Sequence, residues 1–262
     1  MKVIYTDLDG TLLDKNSYSY KGAKKGLQIV KSKAIPWIIC TSKTRCEIEH
    51  WRKKLCNKYP FISENGGGIF IPKKFFNFDV SSSYQTKIYD VIEVGIRISE
   101  LTEIFLNLKK KYDIKSFLEM NAQEIQKDAH IPLTQAILAK NREYDIPFKI
   151  LDMKEKKKII ADIYKKGLRL VSGGRYFHLM GNTNKGKAVK ILSELLKRKY
   201  KTIVTVGIGD SENDFSMLDN VDRPYLLKEN NDTFASNKYL KVRGIGPIGW
   251  TEIIEKEIKD WR

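Results

Sequence analysis

The chain has 262 residues, of which 48 are Lys or Arg and 32 are Asp or Glu, so its formal net charge is +16. The lysines are scattered along predicted helices instead of forming one basic arm, so we expect no nucleic-acid partner. The charge fits attraction of an anionic small-molecule substrate, or simply a lysine-rich genome composition. The chain has no apolar run of about 18 residues and no signal-peptide pattern, which predicts a cytoplasmic protein with no membrane partner. The length suffices for a core domain that carries an insertion.

The cysteines and histidines give no sign of a disulfide framework or a zinc site. The cysteines are odd in number and have no metal-ligand spacing with histidine, so Cys40, Cys46 and Cys56 predict reduced thiols. We interpret His50 and His130 as structural residues.

The first predicted strand ends in two carboxylates. Residues 2–5 form an apolar run typical of a buried strand, and Asp7 and Asp9 follow it, directly before Gly10 and Thr11. Residues two apart on an extended chain point to the same side, so the two carboxylates can converge at the carboxyl end of the strand. Two like charges held close together need a cation or a shared proton between them. The alternative is a simple turn, because Asp-Gly is a common turn dipeptide.

Two more strands and two helices are predicted before residue 70. Apolar positions at helical spacing predict a helix around residues 23–30, and a second helix is predicted over 44–58. The apolar runs at 37–40 and 61–62 predict strands. Helices that alternate with strands in this way are typical of a parallel sheet.

Polar residues follow both of these strands. The second predicted strand ends in Thr41 and Ser42, which should reach the same edge of the sheet as the first two carboxylates. The third is followed by Glu64, Asn65 and a run of glycines that begins at Gly66. Glycine allows a positive φ and a close approach of the backbone to a ligand.

Residues 81–182 show a different pattern, which predicts a separate α+β unit. The predicted elements are a strand at 89–95, a helix at 101–112, a helix at 119–142 broken at Pro132, a strand at 148–151, a helix at 154–166, and strands at 168–172 and 175–180. Gly173 and Gly174 between the last two strands indicate a hairpin.

The alternating pattern returns after residue 182. A helix is predicted over 184–199 with Lys185 at its start, and a strand at 203–206 is followed by Asp210 and Asp214. The remaining predicted elements are strands at 223–227 and 238–242 and a helix at 249–261.

Four motifs in chain order resemble those of the haloacid dehalogenase superfamily of aspartyl-phosphate phosphatases. They are Asp7-Leu8-Asp9-Gly10-Thr11, Thr41-Ser42, Lys185, and Gly209-Asp210-Ser211-Glu212-Asn213-Asp214. The resemblance implies an α/β fold in which a doubly wound, mainly parallel, Rossmann-like sheet carries an inserted α+β cap of the C2B type. It implies a catalytic core of residues 1–80 and 183–262, and a cap of residues 81–182 that determines substrate specificity.

Further motifs resemble the mannosyl-3-phosphoglycerate phosphatase subfamily. They are Thr41-Ser42-Lys43-Thr44-Arg45, Phe61-Ile62-Ser63-Glu64-Asn65-Gly66, Arg142-Glu143-Tyr144 and Gly173-Gly174-Arg175-Tyr176-Phe177-His178. The resemblance implies hydrolysis of 2-O-mannosyl-3-phosphoglycerate to phosphate and mannosylglycerate, a compatible solute, by a monomer or homodimer. Three alternatives stay open: a phosphatase for the glucosyl counterpart or for sugar phosphates more broadly, a phosphomannomutase, and a basic nucleic-acid-binding protein with a vestigial site.

The resemblance also implies roles for the core motifs. Asp7 is the expected nucleophile, which forms an aspartyl-phosphate, and Asp9 is the expected general acid and base. Lys185 and Thr41 are expected to hold phosphoryl oxygens. The expected cofactor is Mg²⁺, which prefers oxygen ligands. Its expected ligands are the Asp7 side chain, the Asp9 backbone carbonyl, Asp210 and, directly or through water, Asp214.

The other predicted site residues are expected to bind the substrate. They are Ser42, Lys43, Glu64, Asn65 and Gly66 on the core, and Arg142, Arg175 and His178 on the cap. Arginine suits a carboxylate because it donates two parallel hydrogen bonds, so the cap residues are expected to hold the substrate's carboxylate and sugar. The alternative is that these cap residues lie on the surface, at a hairpin and a helix end.

Overall fold

The strands of the protein form one nine-stranded sheet and one four-stranded sheet. The computed structural model describes residues 1–173, 175–229 and 233–259. The strands are β1 (Lys2–Thr6), β2 (Trp37–Cys40), β3 (Phe61–Ser63), β4 (Gly68–Pro72), β5 (Tyr84–Gln85), β6 (Tyr89–Glu93), β7 (Ile114–Ser116), β8 (Asp145–Ile150), β9 (Arg169–Gly173), β10 (Tyr176–Met180), β11 (Val204–Gly209), β12 (Arg223–Lys228) and β13 (Leu240–Ile245).

Helices cover both sheets. They are α1 (Lys24–Ser32), α2 (Arg45–Leu55), α3 (Ile98–Lys109), α4 (Ala122–Ala129), α5 (Leu133–Ala139), α6 (Lys156–Lys165), α7 (Lys185–Tyr200), α8 (Phe215–Leu218) and α9 (Gly246–Lys259). Among the described residues, none of these helices has the length and apolar character that a membrane span needs.

The nine-stranded sheet has the order β13-β12-β11-β1-β2-β3-β4-β6-β5. Its pairs from β13 to β3 are parallel, and those from β3 to β5 are antiparallel. The chain moves outward from β1 in one direction through β2 and β3, and later in the other through β11 to β13. This confirms the predicted doubly wound, mainly parallel α/β fold, and β1 lies where the strand order reverses, which is where such sheets bind ligands.

The alternation of side chains along β1 divides the core into two layers. Val3 and Tyr5 belong to a buried apolar cluster that includes residues of α7 and α8. Ile4 belongs to a second cluster on the other face, which includes Trp250 of α9 and residues of α1 and α2. All five residues of β1 are buried. Because successive side chains of a strand point to opposite faces, such a strand must be covered on both sides. The polar residues after its last position are thereby left at the edge.

The four-stranded sheet has the order β7-β8-β10-β9 and is antiparallel. Its own apolar cluster includes Leu101 of α3, Ile159 of α6 and Ile146 of β8. This confirms that the inserted part contains an α+β cap. The exact division at residues 81 and 182 stays a prediction. Within this range, β5 and β6 belong to the nine-stranded sheet, because β6 lies antiparallel to β4 along its whole length and β5 pairs with β6.

Several element boundaries differ from the predicted ones. The predicted break at Pro132 is confirmed, since α4 ends at His130 in the left-handed conformation and Pro132 precedes α5, but the two helices cover less than the predicted range of 119–142. The predicted strand at 148–151 begins at Asp145, since β8 also pairs with β10. The strands β4, β5 and β7 were not predicted. Gly174 of the predicted hairpin and Trp261 of the predicted last helix lie outside the described residues.

Candidate active site

Three buried carboxylates meet at the carboxyl ends of β1 and β11. Asp7 follows β1 and Asp210 follows β11. The backbone N–H of Asp7 donates to the carbonyl of Ile208 in β11 (3.0 Å), which continues the pairing of the two strands. Asp7, Asp210 and Asp214 each offer an oxygen within 4.8 Å of the others. The parallel pairing of the two strands therefore brings together acids that are about 200 positions apart in the sequence.

Lys185 is the cation in this cluster. It is the first residue of α7 and is completely buried, and its Nζ lies 2.9 Å from Oδ1 of Asp7 and 2.6 Å from Oδ1 of Asp214. Asn184 caps the helix, because its side chain accepts a hydrogen bond from the N–H of Lys187 (2.8 Å). Burial alone would lower the pKa of Lys185, but the two carboxylates raise it above its ordinary value, so the amine is charged.

The cluster contains more acidic than basic side chains. Burial raises the pKa of Asp210 well above its ordinary value, and repulsion by Asp214 and Asp7 adds to this. Burial likewise raises the pKa of Asp214, while Lys185 opposes the change. A hydroxyl donor is also present, since Oγ1 of Thr11 donates to Oδ1 of Asp210 (3.1 Å). Besides Lys185, Nζ of Lys15 lies 3.8 Å from Oδ2 of Asp210, so two lysines face three carboxylates. Closely spaced carboxylate oxygens that outnumber the neighbouring cations fit a divalent cation, and an all-oxygen set fits Mg²⁺.

Both carboxylate oxygens of Asp214 are already hydrogen bonded to the protein. Oδ1 accepts from Lys185 (2.6 Å), and Oδ2 accepts from the backbone N–H groups of Asp210 (3.0 Å) and Ser211 (3.2 Å). Asp214 therefore holds the loop after β11 in place and orients Lys185. This arrangement favours a contact of Asp214 with a metal through water over direct ligation.

Asp9 lies beside the cluster and forms an ion pair with Lys43. Oδ2 of Asp9 is 2.8 Å from Nζ of Lys43. The Asp9 side chain is 34% exposed, so part of it is accessible to solvent or to a ligand. Lys43 also lies 3.4 Å from Glu47 and is buried. Burial raises the pKa of Asp9 above its ordinary value, and Lys43 opposes this rise. Lys43, which was predicted to bind substrate, is thus engaged with two carboxylates.

The loops after β2 and β3 lie against each other at the same edge. Thr41 is buried, and its carbonyl accepts the N–H of Asn65 (3.0 Å). The carbonyl of Ser42 accepts from Nη1 of Arg142 on the cap side (2.8 Å). Gly66 lies close to the start of α7, and its carbonyl accepts from Oγ1 of Thr183 (3.0 Å).

Glu64 connects the core to the cap. Its side chain is completely buried, and its carboxylate accepts the backbone N–H groups of Glu143 (3.0 and 3.1 Å), Tyr144 (2.8 Å) and Asp145 (3.0 Å). Burial and the neighbouring Asp145 raise the pKa of Glu64 well above its ordinary value. These contacts use both oxygens of Glu64, so a structural role is favoured over the predicted contact with substrate.

The three predicted cap residues lie in different surroundings. Arg142 is buried and donates to the carbonyls of Ala139 and Ser42 (3.0 and 2.8 Å) and to Asp145 (3.0 Å). Nδ1 of His178 lies 2.8 Å from the other oxygen of Asp145, which joins Arg142 and His178 into one buried group. Arg175 is exposed at the turn between β9 and β10. The contacts of Arg142 favour a structural role over substrate binding.

Asp145 was missed by the sequence analysis. Burial alone would raise the pKa of Asp145, but Arg142 and His178 lower it below its ordinary value. Asp145 is therefore an ionised carboxylate that lies between these two side chains. A signal was present in the sequence, because Asp145 lies directly after the recognised Arg-Glu-Tyr motif.

A cavity of about 320 Å³ lies between the cap strand β9 and the core loops. Its lining comprises Asn65, Asn184, Lys185, Glu212, Asn213, Phe215 and Ser216 of the core and residues 169–172 of β9. Arg169 is the cap cation of this lining, and no sequence motif pointed to it. A larger cavity of about 680 Å³ lies between α1 and α2, beside the start of β2, and contains none of the carboxylates above.

Known proteins match the chain over nearly its whole length. A family model described as haloacid dehalogenase-like hydrolase matches residues 4–237. A glucosyl-3-phosphoglycerate/mannosyl-3-phosphoglycerate phosphatase of Methanococcoides burtonii is 40% identical over 96% of this chain and 95% of that protein. A mannosyl-3-phosphoglycerate phosphatase of Pyrococcus furiosus is 35% identical over 90% of this chain and 95% of that protein.

Solved structures agree on the fold. A haloacid dehalogenase-like hydrolase from B. subtilis has a TM-score of 0.68 and 18% identity, and the match covers 97% of this chain and 99% of that one. Such a low identity shows the shared fold alone. The chain therefore belongs to the haloacid dehalogenase-like hydrolases, within the family of the glucosyl- and mannosyl-3-phosphoglycerate phosphatases.

Proposed function

We propose that this phosphatase hydrolyses 2-O-mannosyl-3-phosphoglycerate, with the glucosyl counterpart as the alternative substrate, through an aspartyl-phosphate on Asp7. One observation carries this proposal: a chain that matches the named relatives along nearly its whole length has an acidic cluster and a lysine at the expected edge of the sheet. The phosphoryl group binds at that edge, and the rest of the substrate extends toward the cap.

Asp7 and Asp9 divide the chemistry between them. The carboxylate of Asp7 forms a bond to phosphorus while the bond from phosphorus to the glycerate oxygen breaks, and Asp9 donates its proton to that oxygen. Asp9 then accepts a proton from the water that attacks the aspartyl-phosphate, which releases phosphate and restores Asp7. The raised pKa of Asp9 supports this role, because a larger fraction of the group is protonated at the start of the reaction.

The other core residues orient these two. Lys185 holds Oδ1 of Asp7 at 2.9 Å and can also neutralise a phosphoryl oxygen, while the hydroxyl of Thr41 donates to another. Lys43 holds Asp9 at 2.8 Å, which we propose as its role in place of substrate binding. The Asp7 side chain, the Asp9 carbonyl and Asp210 would hold Mg²⁺, with Asp214 behind them. When bound, the ion neutralises charge on the phosphoryl group.

A substrate panel tests this proposal. Phosphate release is measured with mannosyl-3-phosphoglycerate, glucosyl-3-phosphoglycerate, mannose 6-phosphate and p-nitrophenyl phosphate, with chelator and after addition of Mg²⁺. We expect the highest kcat/KM with the mannosyl substrate, no activity in excess chelator, and recovery with Mg²⁺. Asp7→Asn is expected to remove turnover on every substrate while its circular dichroism spectrum stays that of the wild type, because an amide cannot act as the nucleophile.

Each arm can contradict a different part of the proposal. A higher kcat/KM for the glucosyl substrate would select the alternative, and a higher value for mannose 6-phosphate would indicate a broader sugar-phosphate phosphatase. Activity that persists in chelator would exclude the proposed metal requirement. Full turnover by Asp7→Asn would exclude Asp7 as the nucleophile.

A further inference from the structure

Arg169 has no partner for its charge among the residues that the structure describes. It is the first residue of β9, where it pairs with Met180 of β10, and it is partly buried. No hydrogen bond or ion pair joins its side chain to any residue in the described part of the chain, whereas Arg142 has acceptors on three sides and Arg97 pairs with Glu93 (2.6 Å). A guanidinium that is partly removed from water without an acceptor costs free energy, unless a ligand supplies the acceptor.

The surroundings of Arg169 indicate what that ligand is. Arg169 and Lys185 line the same cavity of about 320 Å³, so one molecule can reach Lys185 with its phosphoryl group and Arg169 with its other end. Glu212 is the other charged residue of the lining; it is exposed, and it forms no ion pair with Arg169. The planar fork of arginine matches a carboxylate, to which it donates two parallel hydrogen bonds.

The side-chain amide of Asn65, in the same cavity, has a donor group without an acceptor in the described part of the chain. Asn65 is 2% exposed, and its Nδ2 has no hydrogen-bond partner in the described part of the chain. Its Oδ1 lies 3.5 Å from Nδ2 of Asn213, another lining residue. A buried donor without an acceptor is uncommon and costly, so it is independent support for a polar ligand at this place.

We infer that Arg169 binds the glycerate carboxylate of the substrate and thereby selects phosphoglycerate glycosides over simple sugar phosphates. This inference rests on the proposed function and adds the residue that recognises the acid group. The cap strand β9 lies against the turn at Glu212–Asp214 of the core, which places Arg169 in the same cavity lining as Lys185. Binding at a group remote from phosphorus orients the reacting part of the substrate.

Substrates that differ only in the carboxylate test this contact. Mannosyl-3-phosphoglycerate is compared with the analogue in which that carboxylate is reduced to a primary alcohol, and p-nitrophenyl phosphate reports on the core alone. The wild type is expected to prefer the acid over the alcohol by about 10- to 150-fold in kcat/KM, the range for a hydrogen bond to a charged group. Arg169→Ala and Arg169→Gln should lose this preference and retain the rate on p-nitrophenyl phosphate.

Arg243→Ala is the matched control, because Arg243 is an exposed arginine on β13 outside the cavity lining. It should keep the preference of the wild type. Arg169→Gln retains most of the side chain, so it reports on the charge even if the alanine variant is unstable. A wild type and an Arg169→Gln variant with the same acid-to-alcohol preference would overturn this inference alone. A wild type that hydrolyses p-nitrophenyl phosphate but neither glycoside would overturn the proposed function, and this inference with it.

Discussion

Gly66 lies where the turn after β3 approaches the start of α7. Its φ is +94°, and a Cβ at this position would lie 2.2 Å from the carbonyl oxygen of Asn184 and 2.9 Å from the backbone nitrogen of Lys185. The atoms in the way are backbone atoms, which cannot rotate aside as a flexible side chain can. Gly66 therefore acts on the site through the position of Lys185, although the sequence analysis assigned it to substrate binding.

Gly66→Ala is expected to lower both stability and kcat on p-nitrophenyl phosphate, because the added methyl group displaces the segment that carries Lys185. Gly167→Ala is the matched control: its φ is +70°, but a Cβ there would meet nothing within 4 Å. The control should lose roughly 1 kcal/mol from its backbone conformation and keep its activity. Thermal unfolding and initial rates measure both effects, and equal results for the two variants would contradict the role of Gly66.

At the scale of elements, the segment between α5 and β8 is attached to the core loops at several points. Glu64 accepts three consecutive backbone N–H groups of this segment. Oγ1 of Thr44 at the start of α2 donates to the carbonyl of Leu138 (3.0 Å), and Arg45 pairs with Glu143 (3.0 Å). The cap is thus held on the side of the loop that carries Ser42 and Lys43, which fixes its position relative to the acidic cluster.

Glu64→Ala should release this segment, because three backbone donors lose their shared acceptor. We expect a loss of about 3 kcal/mol in the free energy of unfolding, and a larger fall in kcat/KM for the glycoside substrate than for p-nitrophenyl phosphate. Hydrogen exchange at residues 143–145 should become faster. Glu103→Ala, which removes an exposed glutamate of α3, serves as the control. Unchanged exchange at 143–145 in Glu64→Ala would show that Glu64 does not hold the segment.

At the scale of the whole molecule, the last helix is tied to the central sheet. Glu257 of α9 is buried, and its carboxylate accepts from Lys2 of β1 (2.8 Å) and from the hydroxyl of Tyr225 of β12 (2.6 Å). Burial alone would raise the pKa of Glu257, but these two donors lower it below its ordinary value. The contact joins α9 to β1 and β12, two strands of the nine-stranded sheet that lie on either side of β11.

This lowered pKa makes a prediction for stability against pH. A carboxyl group with a lower pKa in the folded state stabilises the fold above its unfolded pKa of about 4.3, and this contribution disappears as the pH falls through the folded value. Glu257→Gln should therefore lose about 2–4 kcal/mol at pH 7, and the loss should shrink steadily as the pH is lowered below about 4, measured by urea unfolding. Glu255→Gln on the same helix removes a more exposed pair with Lys25 and should lose less than about 1 kcal/mol. A Glu257→Gln deficit of equal size at neutral and at low pH would contradict the assignment.

The predicted strands are recognisable from their own sequence, whereas a missed strand such as β5 depends on its partner strand. The strands β1, β2, β3 and β11 were predicted because each is an apolar run followed by polar residues, which is a local property of the chain. The strand β5 has only two residues and exists through its pairing with β6. A short strand of this kind depends on its partner, so its own sequence does not indicate it.

The sequence by itself determined the parallel sheet and the place of its acidic edge. Asp7 and Asp210 directly follow strands, so once β1 and β11 pair in parallel, the pleat and the hydrogen-bond ladder leave them side by side. The roles of these residues stay predictions for the experiments above. Local rules were sufficient here because the position of each carboxylate depends on its own strand.

Only the tertiary structure decided which partner each long charged side chain has. Lys43 pairs with Asp9, Glu64 reaches a cap segment 80 positions away, and Arg169 lines the cavity without an ion pair to any residue that the structure describes. The sequence indicates such groups only as charges, and it contains many other lysines and arginines of the same kind. Their partners depend on how the antiparallel cap sheet packs against the core loops, because contacts between distant segments form only where packing of both units brings them together.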